Sequence, residues 1–290
     1  MRTRTILAVP LLLALGATAA CAPVDESDTT AADPTPTSAD QCATDQLPLL
    51  EDGTLTIGTD SPAYAPWFKG NDPTNGKGFE SAVAYAVAEE LGFSEDQVTW
   101  VKVPFNTSYK PGEKDFDFDI NQISITPARA EVVDFSDGYY EASQAVIALD
   151  DTPIADASSV AELADYDLGA QTGTTSLTAI RDVIQPTNDA AVFEDTAAAK
   201  QALLNGQVDG ILADLPTAFY ITAVEIPQAT LIGQFQPALD QQEEFGMLFE
   251  KGSELVPCVN EALATLREDG TLEQIEQEWL SDVVDVPELQ

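Results

Sequence analysis

The stretch FDFDINQISITPARAEVVDFSDGYY, residues 116–140, decides the fold, because a strand pattern changes to a helix start within a few residues. Apolar and polar residues alternate over residues 115–125, with one interruption at the adjacent polar residues Asn121 and Gln122, and this pattern predicts a strand. Thr126 is a favourable N-cap and Pro127 suits the first helical position, so a short helix is expected to follow directly. A strand that runs straight into a helix N-terminus is typical of the ligand-binding edge of an open α/β sheet.

Arg129 falls at the third position of this predicted helix, in a strongly acidic chain. Asp and Glu number 50 against 12 Lys and Arg, and the formal net charge is −38. A planar guanidinium beside free backbone N–H groups suits a carboxylate held by two hydrogen bonds. The position therefore favours binding of the carboxylate of a small zwitterion. A surface ion pair with Glu131 or Asp134 is the alternative.

The composition excludes several classes of function. The chain contains no histidine, so Ser-His-Asp and Cys-His nucleophile systems and histidine-based zinc sites cannot be built. An acidic surface repels the phosphates of nucleic acid. A length of 290 residues suits two lobes, each with a core of its own. The sequence predicts no catalytic residue, no cofactor, no metal ion and no nucleic-acid partner.

The N-terminal region reads as an export signal followed by a tether. Residues 1–21 combine a basic start, a short apolar run and small residues before Cys21, which predicts a secretory signal. The end of this segment resembles a bacterial lipobox, which implies lipidation of Cys21; ordinary cleavage is the alternative. Residues 22–46, rich in Asp, Thr, Pro and Ser, predict a disordered tether. In an exported chain Cys42 and Cys258 predict a disulfide, with two free thiols as the alternative.

Strand and helix patterns alternate after the tether, which predicts an α/β fold with mostly parallel sheets. Strands are expected at 53–60, 97–105, 115–125, 142–149, 167–173, 208–214 and 244–252, and helices at 80–93, 127–135, 159–166, 175–185, 197–207, 215–224, 255–270 and 271–282.

Polar residues follow four of these strands, where ligands bind in open α/β sheets. Asp214 suits a ligand ammonium group or an N-cap, and both readings can hold together. Asp60 suits contact with a polar ligand side chain, or an Asx-turn. Tyr64 and Phe105 suit the walls of a small pocket, or an ordinary core. The four polar strand ends are residues 58–60, 121–124, 171–176 and 212–214.

Taken in order, these stretches resemble the bacterial extracellular solute-binding proteins of family 3, the polar amino-acid receptors of ABC importers. The resemblance covers essentially everything after residue 46, and its most specific parts are the ITPxR…VDFSDxYY core and the closing ALxxLREDGTLxxIxxEWL. The other stretches that carry it are GTLTIGTDSPAYAPWF, GKGFESAVAYAVAEELG, LGAQTGTTS, QALLNGQVDGILADLPTAFY and FGMLFEKGSEL.

The resemblance implies a two-lobed, periplasmic-binding-protein-like (type II) α/β fold with two hinge strands. Lobe one would comprise residues 47–140 and 246–290, and lobe two residues 141–245. The two crossings would lie near Tyr139–Ser143 and Gln241–Phe245.

The resemblance also implies the ligand-binding residues. Arg129 would bind the ligand's α-carboxylate and Asp214 its α-ammonium group. The remaining predicted contacts are Thr174 and Thr175 at the carboxylate, Asp60 at the side chain, the aromatic walls Tyr64 and Phe105, and the polar residues Asn121, Gln122 and Ser124.

Two departures from the family pattern affect specificity. Asn121 and Gln122 stand where the family usually has small residues, and GFESAV places Glu80 as the only acid in a stretch that often carries two. Neither departure affects the predicted binding of the zwitterion. A polar pocket of this kind fits an amide or a cationic amino acid better than glutamate.

The function implied is a monomeric, extracytoplasmic substrate-binding protein, lipid-anchored to the outer face of the bacterial cell membrane. Its partners would be the permease subunits of an ABC importer, an amino-acid ligand, and the membrane through the N-terminal lipid. Two alternatives remain open: a dehydratase-like enzyme using Glu80 or Asp60 as acid or base, and a ligand-sensing module.

Overall fold

The computed structural model describes residues 42–236, 242–280 and 286–290. The predicted signal and the predicted tether up to residue 41 lie outside the described residues. Within the described residues, no helix is both long enough and apolar enough to cross a bilayer.

Twelve strands are formed by the described residues, numbered β1 to β12 in chain order. They are Leu55–Thr59, Val98–Lys102, Phe118–Asp119, Asp134–Phe135, Tyr140–Ala142, Gln144–Leu149, Leu168–Gln171, Ala191–Phe193, Gly210–Asp214, Ala229–Phe235, Glu243–Phe245 and Leu248–Phe249.

Eight α-helices, α1 to α8, accompany these strands in the described part of the chain. They are Phe79–Glu90, Phe105–Ser108, Pro127–Ala130, Thr175–Ala179, Thr196–Leu204, Leu215–Tyr220, Val256–Glu268 and Thr271–Leu280. Single π-helical turns, Ile180–Ile184 and Ile221–Glu225, extend α4 and α6.

The strands form two five-stranded sheets and one two-stranded sheet. The first sheet has the order β2-β1-β3-β12-β4 and the second the order β10-β6-β9-β7-β8. Strands β5 and β11 pair with each other in antiparallel fashion, with Tyr140 opposite Phe245. The chain runs from the first sheet through β5 into the second, and returns through β11. The polypeptide thus passes twice between the sheets along one narrow ribbon.

Both large sheets are mostly parallel, as expected, because four of the five strands in each sheet run in the same direction and one strand, β12 or β6, runs against them. Strand β1 is parallel to β2 and β3, but β12 is antiparallel to β3 and β4. In the second sheet β7 is parallel to β8 and β9, whereas β6 is antiparallel to β9 and β10. The antiparallel strands β6 and β12 follow β5 and β11 directly. A strand that enters a sheet from a neighbouring strand needs no helical crossover, which parallel pairing would require.

Several predicted elements are shorter than their sequence pattern. The strand expected over 97–105 ends at Lys102, and Phe105 opens α2. Only Phe118–Asp119 is a strand within 115–125, and Gln122 has a left-handed φ of 48°. The strand expected over 244–252 is split at Gly246, where a Cβ would lie 2.8 Å from the Ile125 side chain. In the last two cases a backbone reversal or a close tertiary contact ends the strand.

The predicted N-cap at the start of α3 is present. The Thr126 hydroxyl accepts a hydrogen bond from the backbone N–H of Arg129, and Pro127 occupies the first helical position. Helix α1 ends just before Gly92, whose φ of 86° suits glycine at a helix C-terminus. These boundaries agree with the sequence because a cap depends on residues that are adjacent along the chain.

The predicted disulfide between Cys42 and Cys258 is present. It joins the first described residue to α7, and Thr44 then donates a hydrogen bond to the Leu91 carbonyl at the end of α1. The sequence places the end of the tether at residue 46, but residues 42–46 are already attached to the core of the first sheet. A covalent bond and a hydrogen bond hold a segment whose composition alone predicts disorder.

Residues 286–290 lie along the second sheet, although the sequence assigns them to lobe one. Leu289 donates its backbone N–H to the Gln234 carbonyl. The residue is buried, with 7% of its surface exposed to solvent. Its side chain packs against Gly233, where a Cβ would lie 2.6 Å from Leu289 Cγ. An apolar contact with a glycine of β10 therefore places the last described residues on the second sheet.

Candidate functional site

The predicted ligand residues surround one cavity between the two large sheets. Its volume of about 80 Å³ has room for several water molecules or small polar groups. Polar residues missed by the sequence reasoning also line it, namely Gln144, Gln171, Ser176, Thr196 and Thr217. Nine of the ten predicted ligand residues line this cavity: Asp60, Tyr64, Phe105, Asn121, Gln122, Ser124, Thr174, Thr175 and Asp214.

Arg129 is the predicted ligand residue that the cavity wall does not include. Its guanidinium is buried, with Nη1 donating to the Ser124 carbonyl at 2.7 Å and Nη2 donating to the Gly173 carbonyl at 2.9 Å. The ring of Tyr109 lies 4.8 Å from the guanidinium carbon. Burial lowers the pKa of Arg129. Because guanidinium has five N–H donors, these two bonds leave donors for a further acceptor.

The alternative reading of Arg129 as a surface ion pair is wrong. Asp134 forms its ion pair with Lys251 at 2.7 Å instead. Arg129 joins the segment before α3 to the turn after β7, so it connects parts of the chain that belong to different sheets. Gly173 in that turn has a φ of 76°, and a Cβ there would lie 2.2 Å from the Tyr109 hydroxyl. Only glycine fits this position without displacing Tyr109.

Asp214 caps a helix and also lines the cavity, so the capping role is confirmed and the binding of a ligand ammonium group stays a prediction. Its Oδ1 accepts the backbone N–H of Thr217 at the start of α6. Burial raises the pKa of Asp214 to about 6, against the lowering effect of the hydrogen bonds from Thr217. The nearby carboxylate of Glu243 raises this pKa further. A ligand ammonium group would offset that unfavourable environment.

Asp60 follows β1 and holds the start of α2. Its Oδ2 accepts the backbone N–H of Phe105 at 3.1 Å, and its Oδ1 accepts that of Ser61 at 2.6 Å. The carboxylate therefore has a local structural role as well as a place on the cavity wall. Burial is the largest cause that raises the pKa of the neighbouring Tyr64 to about 12.

The two threonines of the turn after β7 differ in their availability. Thr174 is the N-cap of α4: its hydroxyl accepts the Leu177 N–H and donates to the Gln171 carbonyl. Thr175 has its hydroxyl 3.2 Å from the Ser124 hydroxyl and accepts a hydrogen bond from the Gln144 amide at 3.3 Å. The Thr174 hydroxyl is thus committed to the helix start, and Thr175 is the one that faces polar side chains of the cavity.

A buried glutamate missed by the sequence reasoning stands behind this wall. Glu243 lies on β11 and accepts hydrogen bonds from the Ser124 hydroxyl at 2.6 Å and the Gln144 amide at 2.9 Å. The structure therefore commits the Ser124 hydroxyl proton to Glu243. No sequence signal marks this contact, because Ser124 and Glu243 are 119 residues apart.

Glu80 lies outside the cavity wall, which argues against the acid or base role considered for it. The side chain has no solvent exposure. Its carboxylate accepts hydrogen bonds from the Gln122 backbone N–H at 2.7 Å, from the Gln122 side-chain amide, and from the Tyr139 hydroxyl. Burial raises the pKa of Glu80 to about 7, and these hydrogen bonds oppose the increase.

Direct hydrogen bonds connect the two sides of the cavity. Trp67, packed in the core of the first sheet, donates its indole N–H to the Thr217 hydroxyl at 2.8 Å. Asn106 donates its side-chain amide to the Glu194 carbonyl at 3.3 Å. These contacts, with the Arg129 bond to Gly173, hold the two sheets in a closed arrangement around the cavity. In the described part of the chain, no group of three or more Cys, Asp or Glu side chains is placed to hold a metal ion.

Residues 55–282 match the family model described as bacterial extracellular solute-binding proteins, family 3. The L-cystine-binding protein TcyJ of Escherichia coli K12 is 29% identical, over 80% of this chain and 84% of TcyJ. The arginine-binding extracellular protein ArtP of Bacillus subtilis is 27% identical, over 78% of this chain and 86% of ArtP. The chain belongs to family 3 of the bacterial extracellular solute-binding proteins, as its sequence motifs predict.

Solved structures agree with this assignment. An ancestral arginine-binding protein bound to glutamine has a TM-score of 0.67 and 28% identity, covering 79% of this chain and 99% of that one. ArtJ of Geobacillus stearothermophilus, an arginine-, lysine- and histidine-binding protein, has a TM-score of 0.65 and 27% identity, covering 79% and 95%. The predicted two-lobed, type II fold is confirmed. The relatives named here are binding proteins, and this chain is a solute-binding protein rather than an enzyme.

Proposed function

We propose that this chain is the substrate-binding protein of an ABC importer and that it closes over a polar amino acid in the cavity between its lobes. The observation that carries the proposal is the charge of the cavity wall. Two carboxylates, Asp60 and Asp214, line the cavity, and none of the described residues that line it is a lysine or an arginine. A buried carboxylate without a cationic partner is costly, so the wall favours a ligand that brings a positive charge.

The zwitterion of an amino acid fits the groups on either side. Its ammonium group would pair with Asp214 on the second sheet. Its carboxylate would approach the guanidinium of Arg129, which has donors left after bonding to the Ser124 and Gly173 carbonyls. One ligand would then connect groups of both lobes, and its binding free energy would favour the closed arrangement.

The same charges indicate the class of side chain. After the ammonium group has paired with Asp214, the Asp60 carboxylate remains on the wall. This favours an amide or cationic side chain and disfavours glutamate, since a third carboxylate would enter an acidic cavity. Two of the relatives are named for binding glutamine and arginine, which belong to this class, and another for binding cystine, which does not.

The proposal includes the cellular setting. Lobe one would comprise residues 47–140 and most of 246–290, and lobe two residues 141–245. Lipidation of Cys21 would attach a monomer to the outer face of the cell membrane, beside the permease subunits. The predicted export signal in residues 1–21 and the polar composition of residues 22–41 support this arrangement.

Calorimetric titration tests the proposal. The chain from residue 22 onward is freed of bound ligand by unfolding and refolding, and is then titrated with each of the twenty L-amino acids. We expect tight binding of one or a few amide or cationic amino acids, and loss of binding in Arg129→Ala. Binding of small carboxylic acids without an ammonium group, and of no amino acid, would contradict the role of Asp214.

A further inference from the structure

Glu80 is a fully buried carboxylate that has no role in the proposed binding of the zwitterion. It lies in the first turn of α1, behind the cavity wall. A buried charge of this kind is costly unless hydrogen bonds satisfy it, and two of its three hydrogen-bond donors come from a single residue, Gln122. Gln122 does line the cavity. Glu80 therefore contacts the wall of the binding site from behind, through one residue.

The backbone of Gln122 also requires support. Its φ of 48° lies in the left-handed region, which residues other than glycine adopt infrequently. Glu80 Oε1 accepts the backbone N–H of Gln122, and Oε2 accepts its side-chain amide. One carboxylate thus fixes both the backbone conformation and the side-chain orientation of Gln122. The Tyr139 hydroxyl bonds to Oε1 and holds the carboxylate in place.

We propose that Glu80 is a positioning residue that makes Gln122 a hydrogen-bond acceptor towards the ligand side chain. An amide has a donor end and an acceptor end, and the Glu80 carboxylate only accepts once the pH is above its pKa of about 7 and it is ionised. Gln122 must therefore turn its nitrogen towards Glu80, away from the cavity. The carbonyl oxygen is the end that remains for the ligand, and it selects side chains that donate hydrogen bonds. This inference rests on the proposed function, and it names a determinant of specificity at the same site.

The charge of Glu80 must be separated from its effect on Gln122. Removing any buried carboxylate near the cavity would weaken the binding of a cation, even without a change at Gln122. Asp119 supplies the matched control. It is fully buried and electrostatically coupled to Glu80, but it bonds to neither end of Gln122 and does not line the cavity. Neutral ligands remove the same complication from the ligand side.

The experiment compares two neutral ligands of similar length, L-glutamine and L-methionine, of which only glutamine carries N–H donors in its side chain. Their dissociation constants are measured by direct titration at pH 8, on the full chain after signal removal, because Glu80, whose pKa burial raises to about 7, is mostly ionised at that pH. One hydrogen bond gained without charge is worth about 1 kcal/mol. We therefore expect the wild-type protein to prefer glutamine about fivefold to tenfold. In Glu80→Gln the preference should fall to within about twofold, because an amide at residue 80 bonds to either end of Gln122.

Two further variants make the outcome decisive. Gln122→Asn tolerates the left-handed backbone but shortens the side chain, and it should lose the preference in the same way, even if Glu80→Gln does not fold. Asp119→Asn should keep the wild-type preference. A uniform loss of affinity for both ligands in Glu80→Gln, or a wild-type protein that binds glutamine no better than methionine, would overturn the inference. Failure of the wild-type protein to bind any amino acid would instead overturn the proposed function.

Discussion

Lowering the pH from 7 to 5 should weaken amino-acid binding about tenfold, because Asp214 must be ionised to pair with the ligand ammonium group. Burial raises the pKa of Asp214 to about 6 in the empty protein. The direction follows from linkage: a bound cation lowers this pKa, so binding favours the ionised form and releases a proton. Affinity must then fall as the pH drops through the pKa of the empty protein.

The magnitude follows from the ionised fraction of Asp214. With a pKa of about 6, roughly nine tenths of the molecules carry the ionised carboxylate at pH 7 and roughly one tenth at pH 5. The apparent affinity falls by the ratio of these fractions, about tenfold, because only the ionised form is competent to bind. At pH 6, about half a proton should be released for each ligand bound.

Isothermal titration calorimetry measures both quantities. Titrations at pH 5, 6 and 7 give the affinities, and buffers of different ionisation enthalpy at pH 6 give the number of protons released. Asp214→Asn keeps a side chain that can cap α6, so it should fold normally, bind more weakly and lose the pH dependence that Asp214 causes.

Asp195 provides a matched control for the capping role. It caps α5 through the backbone N–H of Ala198 at 2.7 Å, as Asp214 caps α6, but it is exposed and does not line the cavity. Asp195→Asn should retain the wild-type affinity and its pH dependence. An affinity that stays constant between pH 5 and 7 without proton release would refute the reasoning, as would an Asp214→Asn variant that keeps the wild-type pH profile.

Three other perturbations have defined expected outcomes. Arg129→Ala should weaken ligand binding by about 100-fold or more in calorimetry. The variant loses two hydrogen bonds to the ligand carboxylate, and a hydrogen bond to a charged group contributes about 1.5–3 kcal/mol. A variant with wild-type affinity would exclude Arg129 from the site. Glu80→Gln should change how the free energy of unfolding depends on pH, because burial raises the pKa of Glu80 from 4.5 to about 7. As the pH rises through this range, the free energy of unfolding of the wild-type protein should fall by ~3 kcal/mol relative to that of the variant. Asp119, Tyr139 and Asp214 face residue 80 in both proteins, and a difference in urea unfolding free energy that does not change with pH would contradict this. Reduction of the disulfide between Cys42 and Cys258, 216 residues apart, should lower the free energy of unfolding by up to about 5 kcal/mol in the chain-entropy model. An unchanged urea midpoint would mean that the cross-link does not constrain the unfolded chain.

Local sequence patterns predicted the parts of the site that depend on neighbours along the chain. The N-cap at Thr126 and the cap by Asp214 require residues only three positions away. The placement of Asp60 and Asp214 at the ends of β1 and β9 follows from apolar runs that end in a polar residue. These features were readable because a cap or a strand end has the same local signature in any fold.

The same patterns misjudged features that depend on close approach. The sequence pattern over 115–125 predicts one strand despite the adjacent polar residues Asn121 and Gln122, yet the structure departs from a strand after Asp119. The left-handed backbone of Gln122 and its bonds to Glu80, 42 residues earlier, replace the strand there. The interruption of the alternation at Gln122 marks an irregular position, but it does not reveal that a distant carboxylate holds a backbone reversal there.

The sequence by itself determined the α/β alternation, the helix starts, the pairing of Cys42 with Cys258 and the family to which the chain belongs. Each depends on local pattern, on counting or on motif. Only the tertiary structure decided that Glu243 bonds to Ser124 across 119 residues, that Arg129 bridges to Gly173, and that antiparallel strands enter both sheets from the two crossings. Those contacts arise where distant segments meet, and sequence spacing carries no measure of the distance between them in space.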